Sequence, residues 1–222
     1  MERSRIAIIV PALNEAATIG GVLTRVKDYG LPIVVDDGSS DATADLAREA
    51  GAEVVTHEQN RGYDGALNSG FARAAALGCA YAITIDADGQ HNPAQLQELI
   101  DYLDQGYELV LGVRDRYQRI GEVIFAHCTK RLWNISDPLC GMKGYSLELY
   151  SKAGHFDSFQ SIGTELAVRS LVNGCRYIEM SVITRDRQDI PRFARKFAAN
   201  YKILRAMSIL VWLYTMKKLN NG

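Results

Sequence analysis

The chain has 222 residues, 47% hydrophobic and 23% charged, with a net charge of −1, which suits one globular domain with at most a small appendage. Cys79, Cys128, Cys140 and Cys175 show no C-x-x-C spacing, which excludes a zinc ribbon or a disulfide framework and marks them as reduced thiols. The charge is uneven: residues 185–222 hold nine Lys or Arg against Asp186 and Asp189, so the remainder is acidic and the tail calls for an anionic neighbour.

In chain order, Glu2, Arg3 and Arg5 lead into a short apolar run that Pro11 ends. This is no cleavable secretory pattern, and a cytoplasmic location is expected. "RIAIIVPA" predicts the first strand, after which Asn14 and Glu15 open a helix closing near Gly30. "LPIVVDD" is the second strand, Asp41 caps a helix that stops at Gly51, and "AEVVTH" is the third strand. The glycine-spaced "NRGYDGA" predicts a loop before the helix "LNSGFARAAALG", and "AYAITI" is the fourth strand. A helix with Pro93 in its first turn follows, then the strand "YELVLGV", a helical excursion over 115–137, and a short strand, two helices and a last strand through residue 184. Nearly continuous apolar strands alternating with helices predict an α/β fold with a mostly parallel sheet covered on both faces. Residues 1–184 form that domain, and 185–222 a basic loop and C-terminal amphipathic helix. The run "AMSILVWLYTM" (206–216) is far short of the ~20 residues that span a bilayer.

Ligands bind open α/β sheets outside the carboxyl ends of the strands, and there the chain places "PALNE", "DDGSSD", "DADGQH" and "GVRDR". Neither a G-x-G-x-x-G after the first strand nor a G-x-x-x-x-G-K-[ST] is present, which argues against a dehydrogenase or P-loop enzyme. Asp86 and Asp88, two apart in an extended segment, face one side, so their oxygens suit a hard cation that also keeps phosphate oxygens and waters. Gln90 adds a carbonyl oxygen, and if Asp88 alone binds the ion, Asp86 is left for a ribose hydroxyl.

"VPALNEAATIGGVL", "VVDDGSSDAT", "NRGYDGALNSGF", "IDADGQHNP" and "GVRDR" together resemble a family 2 glycosyltransferase of the GT-A fold, most like its dolichyl- or polyprenyl-phosphate hexosyltransferase branch. The likeness is specific over about residues 5–115 and looser beyond. It implies a nucleoside-diphosphate sugar donor and Mg2+ or Mn2+ held by Asp88 and Gln90. Pro11, Leu13 and Glu15 would meet the nucleoside, one of Asp36 and Asp37 the base or ribose, and Gly62 and Gly65 would let backbone approach the nucleotide. Asp86 and Ala87 complete the donor site, and Arg192 in the basic loop would hold phosphate. Candidate catalytic residues are Asp88, Arg114 at the sugar diphosphate, Asp137 near the sugar or acceptor, and Glu165 as a base. Each has a plainer role: Glu15 as a first-turn charge, Asp41 as a cap, Arg114 as a surface arginine, Asp137–Pro138 as a turn, Glu165 as a helix cap, and His91 and His127 as structural residues.

The transfer would invert the anomeric centre. A lipid phosphate acceptor is already a nucleophile at neutral pH and needs no base, whereas a saccharide hydroxyl makes Glu165 or Asp137 essential. The basic loop and apolar helix favour a polyprenyl phosphate, with the helix lying peripherally on a membrane. The same helix packing on the domain or forming a homo-oligomer seam is the alternative. The rival functions are transfer to a saccharide and a non-catalytic nucleotide-sugar binding module; no nucleic-acid partner is expected.

Overall fold

The computed structural model describes residues 2–117, 119–184 and 196–220. Strands β1 (Ile6–Ala12), β2 (Leu31–Asp36), β3 (Glu53–Thr56) and β4 (Tyr81–Thr84) form where β-branched residues cluster. They join β5 (Leu109–Arg114), β6 (Lys143–Ser146) and β7 (Tyr177–Val182) in one seven-stranded sheet of order β3-β2-β1-β4-β6-β5-β7. Every pairing is parallel except those of β6, which runs against both β4 and β5. The start of β6 therefore lies at the edge where β4 and β5 end: Lys143 pairs with Thr84 on one side and Leu111 on the other.

Helices α1 (Ile19–Val26), α2 (Thr43–Glu49) and α4 (Gln95–Asp104) cover one face. There Ile6, Ile8 and Val10 of β1 pack with Leu23, Leu96 and Leu99. On the other face, beneath α3 (Gly62–Ala76), α5 (Ile120–Trp133), α6 (Leu147–Ala153) and α7 (Glu165–Val172), Ala7 and Ile9 meet Phe71, Phe125 and Val168. The strict alternation along β1 is the period of an extended chain with both sides buried. Each fully buried Ile or Leu contributes about 1.5–3 kcal/mol.

Two boundaries and one packing assignment differ from expectation. Helix α1 begins at Ile19, because Asn14 takes a left-handed φ of 49° and Glu15 heads a turn that Thr18 and Ile19 close. Helix α3 begins at Gly62 rather than after Ala66, so Gly62 and Gly65 sit in its first turn and not in a loop. Helix α8 (Lys196–Asn220) turns the stripe Ala199, Ile203, Ala206, Leu210 and Tyr214 onto α5 and α7. That stripe of the C-terminal helix is domain core and not a membrane face. No described helix is long and apolar enough to cross a membrane.

Candidate active site

The first two strand ends are laced together. The backbone of Asn14 donates to Ser39 Oγ, Ser40 to Asn14 Oδ1, Glu15 to Thr43 Oγ1 and Ala16 to Asp41 Oδ2. Pro11 and Leu13 are half-buried along this seam, and Glu15 is buried, accepting from Thr18 Oγ1 at 3.0 Å. The N-cap residue of α2 is Ala42 and not the expected Asp41; Asp41, one residue earlier, still accepts the Thr43 N–H at 3.0 Å. Burial pushes the Asp41 carboxyl up, but the bonds from Thr43 and Ala16 outweigh it and hold it below its ordinary value.

Asp36 and Asp37, treated as equivalents in the sequence, do different work. Asp36 is buried and receives the Ser39 N–H at 3.2 Å. Asp37 Oδ1 receives the Arg61 N–H and lies 2.7 Å from His57 Nδ1, while its Oδ2 receives the Gly62 N–H at 2.8 Å. His57 continues to Ser69 Oγ at 2.8 Å. Asp37 thus caps α3 from another loop, which is why the helix starts at Gly62, whose φ of 80° suits glycine alone. At Gly65 an added side chain would press on Arg61.

Past β4, Asp86 is gripped from three sides. His91 Nε2 lies 3.1 Å from Oδ2, the Tyr63 hydroxyl donates to Oδ1 at 3.3 Å, and a side chain at Gly141 would run into the carboxylate. Burial pushes its pKa up, but His91, Arg114 and Tyr63 together hold it below its usual value. Ala87 is buried behind it, and Asp88 accepts the Gln90 N–H at 3.0 Å, a turn that brings the two expected metal ligands together. Among the described residues no group of three or more His, Cys, Asp or Glu forms a metal cage. The set here is oxygen-only and small, which fits a hard ion that takes its remaining ligands from a diphosphate and water.

The fifth strand end departs from expectation. Arg114 closes on Asp137 as a fork, Nε at 2.7 Å and Nη2 at 2.9 Å, with its own N–H on Oδ2 at 3.1 Å, and Glu122 stands 3.4 Å from Nη2. Burial disfavours the guanidinium charge, yet the bonds to Asp137 raise its pKa further. Arg114 is therefore an internal strut reaching toward Asp86, and Asp137 is its partner rather than a free acid or base. Glu165 is equally engaged: it accepts the Ser158 N–H at 2.5 Å and Ser158 Oγ at 2.9 Å, with His155 and the Tyr214 hydroxyl each at 3.3 Å. Its contacts run to Tyr214 of α8 and to Ser158 and Ser161 in the α6–α7 connection. Arg192 lies outside the described residues.

Sequence reasoning missed Tyr63, Glu122 and Lys143, and it assigned His91 a merely structural part. A lysine inside the otherwise uncharged "GMKGYS" was the one legible signal. Glu122 and Tyr63 carry no local signal, because their partners lie on other elements.

The sheet order, the antiparallel β6 and the oxygen-lined edge beyond β4 define a GT-A-type α/β domain. Glucosyl-3-phosphoglycerate synthase from Mycobacterium tuberculosis, in complex with phosphoglyceric acid, superposes with a TM-score of 0.77 at 22% identity, covering 96% of this chain and 80% of that one. The same enzyme with Mn2+, uridine diphosphate and glucosyl-3-phosphoglycerate gives 0.74 at 22% identity over 96% and 80%. The model of glycosyl transferase family 2 matches residues 7–154, and the chain belongs to that family of enzymes. An uncharacterized protein of Methanocaldococcus jannaschii is 30% identical over 201 residues, 83% of each chain. The dolichyl-phosphate hexose transferase of Haloferax volcanii is 28% identical, covering 82% of this chain and 83% of its own length.

Proposed function

We propose that the chain transfers a hexosyl group, with inversion, from a nucleoside-diphosphate sugar to a polyprenyl phosphate. The observation that carries this is the Asp86–Asp88 edge: one carboxylate immobilised by His91, Tyr63 and the bare Cα of Gly141, and the next one turned to Gln90. Asp88 and Gln90 would hold Mg2+ or Mn2+, which supplies Lewis-acid stabilisation to the departing diphosphate. Asp86 is presented as a fixed acceptor for a donor hydroxyl. Pro11, Leu13 and Glu15 wall the nucleoside side, and Asp37 acts by fixing the start of α3.

The state of the candidate bases supports a phosphate acceptor. A hydroxyl acceptor must lose a proton to a carboxylate within reach, yet Asp137 is locked to Arg114 and Glu165 to Ser158 and Tyr214. A phosphate monoester, whose second pKa is about 6, is anionic already. The Haloferax relative, by its name, acts on a dolichyl phosphate.

A lipid-facing surface is available beside this arm of the site. Ile120 is 75% exposed, with Val123 and Ile124 on the same side of α5, and Arg116 exposed just before them. Such an exposed apolar row, with Arg116 at its start paired to Asp115, suits contact with a membrane interface. The discriminating experiment is transfer from a nucleotide sugar to a short-chain polyprenyl phosphate. Glu165→Gln, provided it folds, keeps activity within about tenfold while Asp88→Asn loses it; a hundredfold or greater loss in Glu165→Gln would instead favour a hydroxyl acceptor.

A further inference from the structure

We propose that Lys143 is a positioning residue that ties the Arg114–Asp137 arm of the site to the Asp86 arm, an assignment that rests on the transfer reaction proposed above. Lys143 is only 3% exposed, and it stands in the middle of the sheet, between Thr84 of β4 and Leu111 of β5. A buried ammonium is costly unless its donors are satisfied. Here Nζ donates to Pro138 O and to Gly163 O, both at 2.7 Å. Burial lowers its pKa to about 8, against the opposing pull of Cys140, Asp137 and Asp86.

The two carbonyls belong to different arms. Pro138 follows Asp137, the residue that forks onto Arg114. Gly163 lies under the ring of Tyr63, since a side chain there would meet Tyr63 Cε1 at 3.2 Å, and the Tyr63 hydroxyl bonds to Asp86. One ammonium thus sits between the support of Arg114 and the support of Asp86.

The Gly163 side needs that support. Gln160, Ile162 and Gly163 have φ of 61°, 59° and 70°, and a β-branched residue at positive φ is a genuine outlier. The segment keeps this shape because carboxylates collect its amides. Asp157 takes those of Phe159, Gln160 and Ser161, and Asp64 takes those of Ile162 and Gly163. Those bonds hold the segment to itself and to α3, while the lysine joins it to the Asp137 turn. In a displacement at the anomeric carbon, an ångström of misplacement costs about a hundredfold in rate, so a tie between the two arms acts on kcat.

The test compares Lys143→Met with Lys143→Gln, whose amide keeps two N–H donors for the two carbonyls. Amide exchange is read in the ligand-free protein at Leu139, which donates to Asp137, at Gly163, which donates to Asp64, and at Val34 in β2 as a reference for global opening. In the Met variant both Leu139 and Gly163 exchange at least about tenfold faster while Val34 is unchanged, and Gln restores most of the protection. Transfer to a short-chain polyprenyl phosphate, from whichever member of a panel of UDP- and GDP-hexoses the wild type uses, shows kcat down about a hundredfold with KM within about threefold, and Gln within about tenfold of wild type. Acceleration at Gly163 alone or at neither amide, an unaltered kcat, or losses that follow Val34 would overturn the assignment. If the Met variant does not fold, intermediate acceleration at both amides in the Gln variant decides. A wild-type protein that transfers nothing from any donor of the panel sinks the reading of the reaction, while the exchange data still decide the tie.

Discussion

Asp37 joins His57 to the amides of Arg61 and Gly62 at the start of α3. Asp37→Ala leaves the buried His57 and two part-buried amides without their acceptor and is expected to lower stability by about 2 kcal/mol, read as a shift in the urea midpoint. Tyr145 is the opposite case. Its hydroxyl is fully buried without a partner, in a ring cluster with Phe71 and Phe156, so Tyr145→Phe is expected to leave stability unchanged or raise it by up to about 1 kcal/mol. Asp64 titrates unusually: burial first, then Asp157, raise its pKa to about 6. A carboxyl whose folded pKa lies above its unfolded value stabilises the fold fully below about pH 4, and that contribution is lost as pH rises through about 6. It is on the order of 2 kcal/mol, and denaturant titrations at pH 4.5 and 7.5 of wild type and Asp64→Asn should show it flattened in the variant.

At the scale of elements, much of the architecture was legible in the strands. Their β-branched runs and the carboxylates that end them are local features, so β1, β2, β4 and β5 and the edge they form could be read directly. The start of α3 could not, because the group that caps it, Asp37, comes from another loop. The engagement of Arg114 with Asp137 was hidden likewise: each residue signals function alone, and only the fold shows that they answer each other. In α8 the apolar period was readable, but not what covers it, since a domain face and a membrane select the same stripe. These two uses separate experimentally. Ile120→Glu with Ile124→Glu is expected to reduce sedimentation with anionic phosphatidylserine vesicles at least about fivefold without altering the melting temperature. Leu210→Ala, on the buried side of α8, should cost about 3 kcal/mol and leave vesicle binding of the folded protein unaltered.

Across the whole molecule, one parallel sheet interrupted by the reversed β6 brings an acidic donor edge, a buried lysine tie and an exposed apolar stretch of α5 to neighbouring places. On the proposed reading, that arrangement sets the donor-side edge beside the surface where a lipid-borne acceptor would approach. The proposed reaction rests on a divalent ion held at Asp88. The direct measurement is calorimetric titration of UDP and of GDP into wild type and Asp88→Asn, each with and without Mn2+. Binding of one of them that needs Mn2+ in the wild type and is lost in the variant is the predicted result; nucleotide binding of equal strength without the ion, or unchanged in Asp88→Asn, would contradict it.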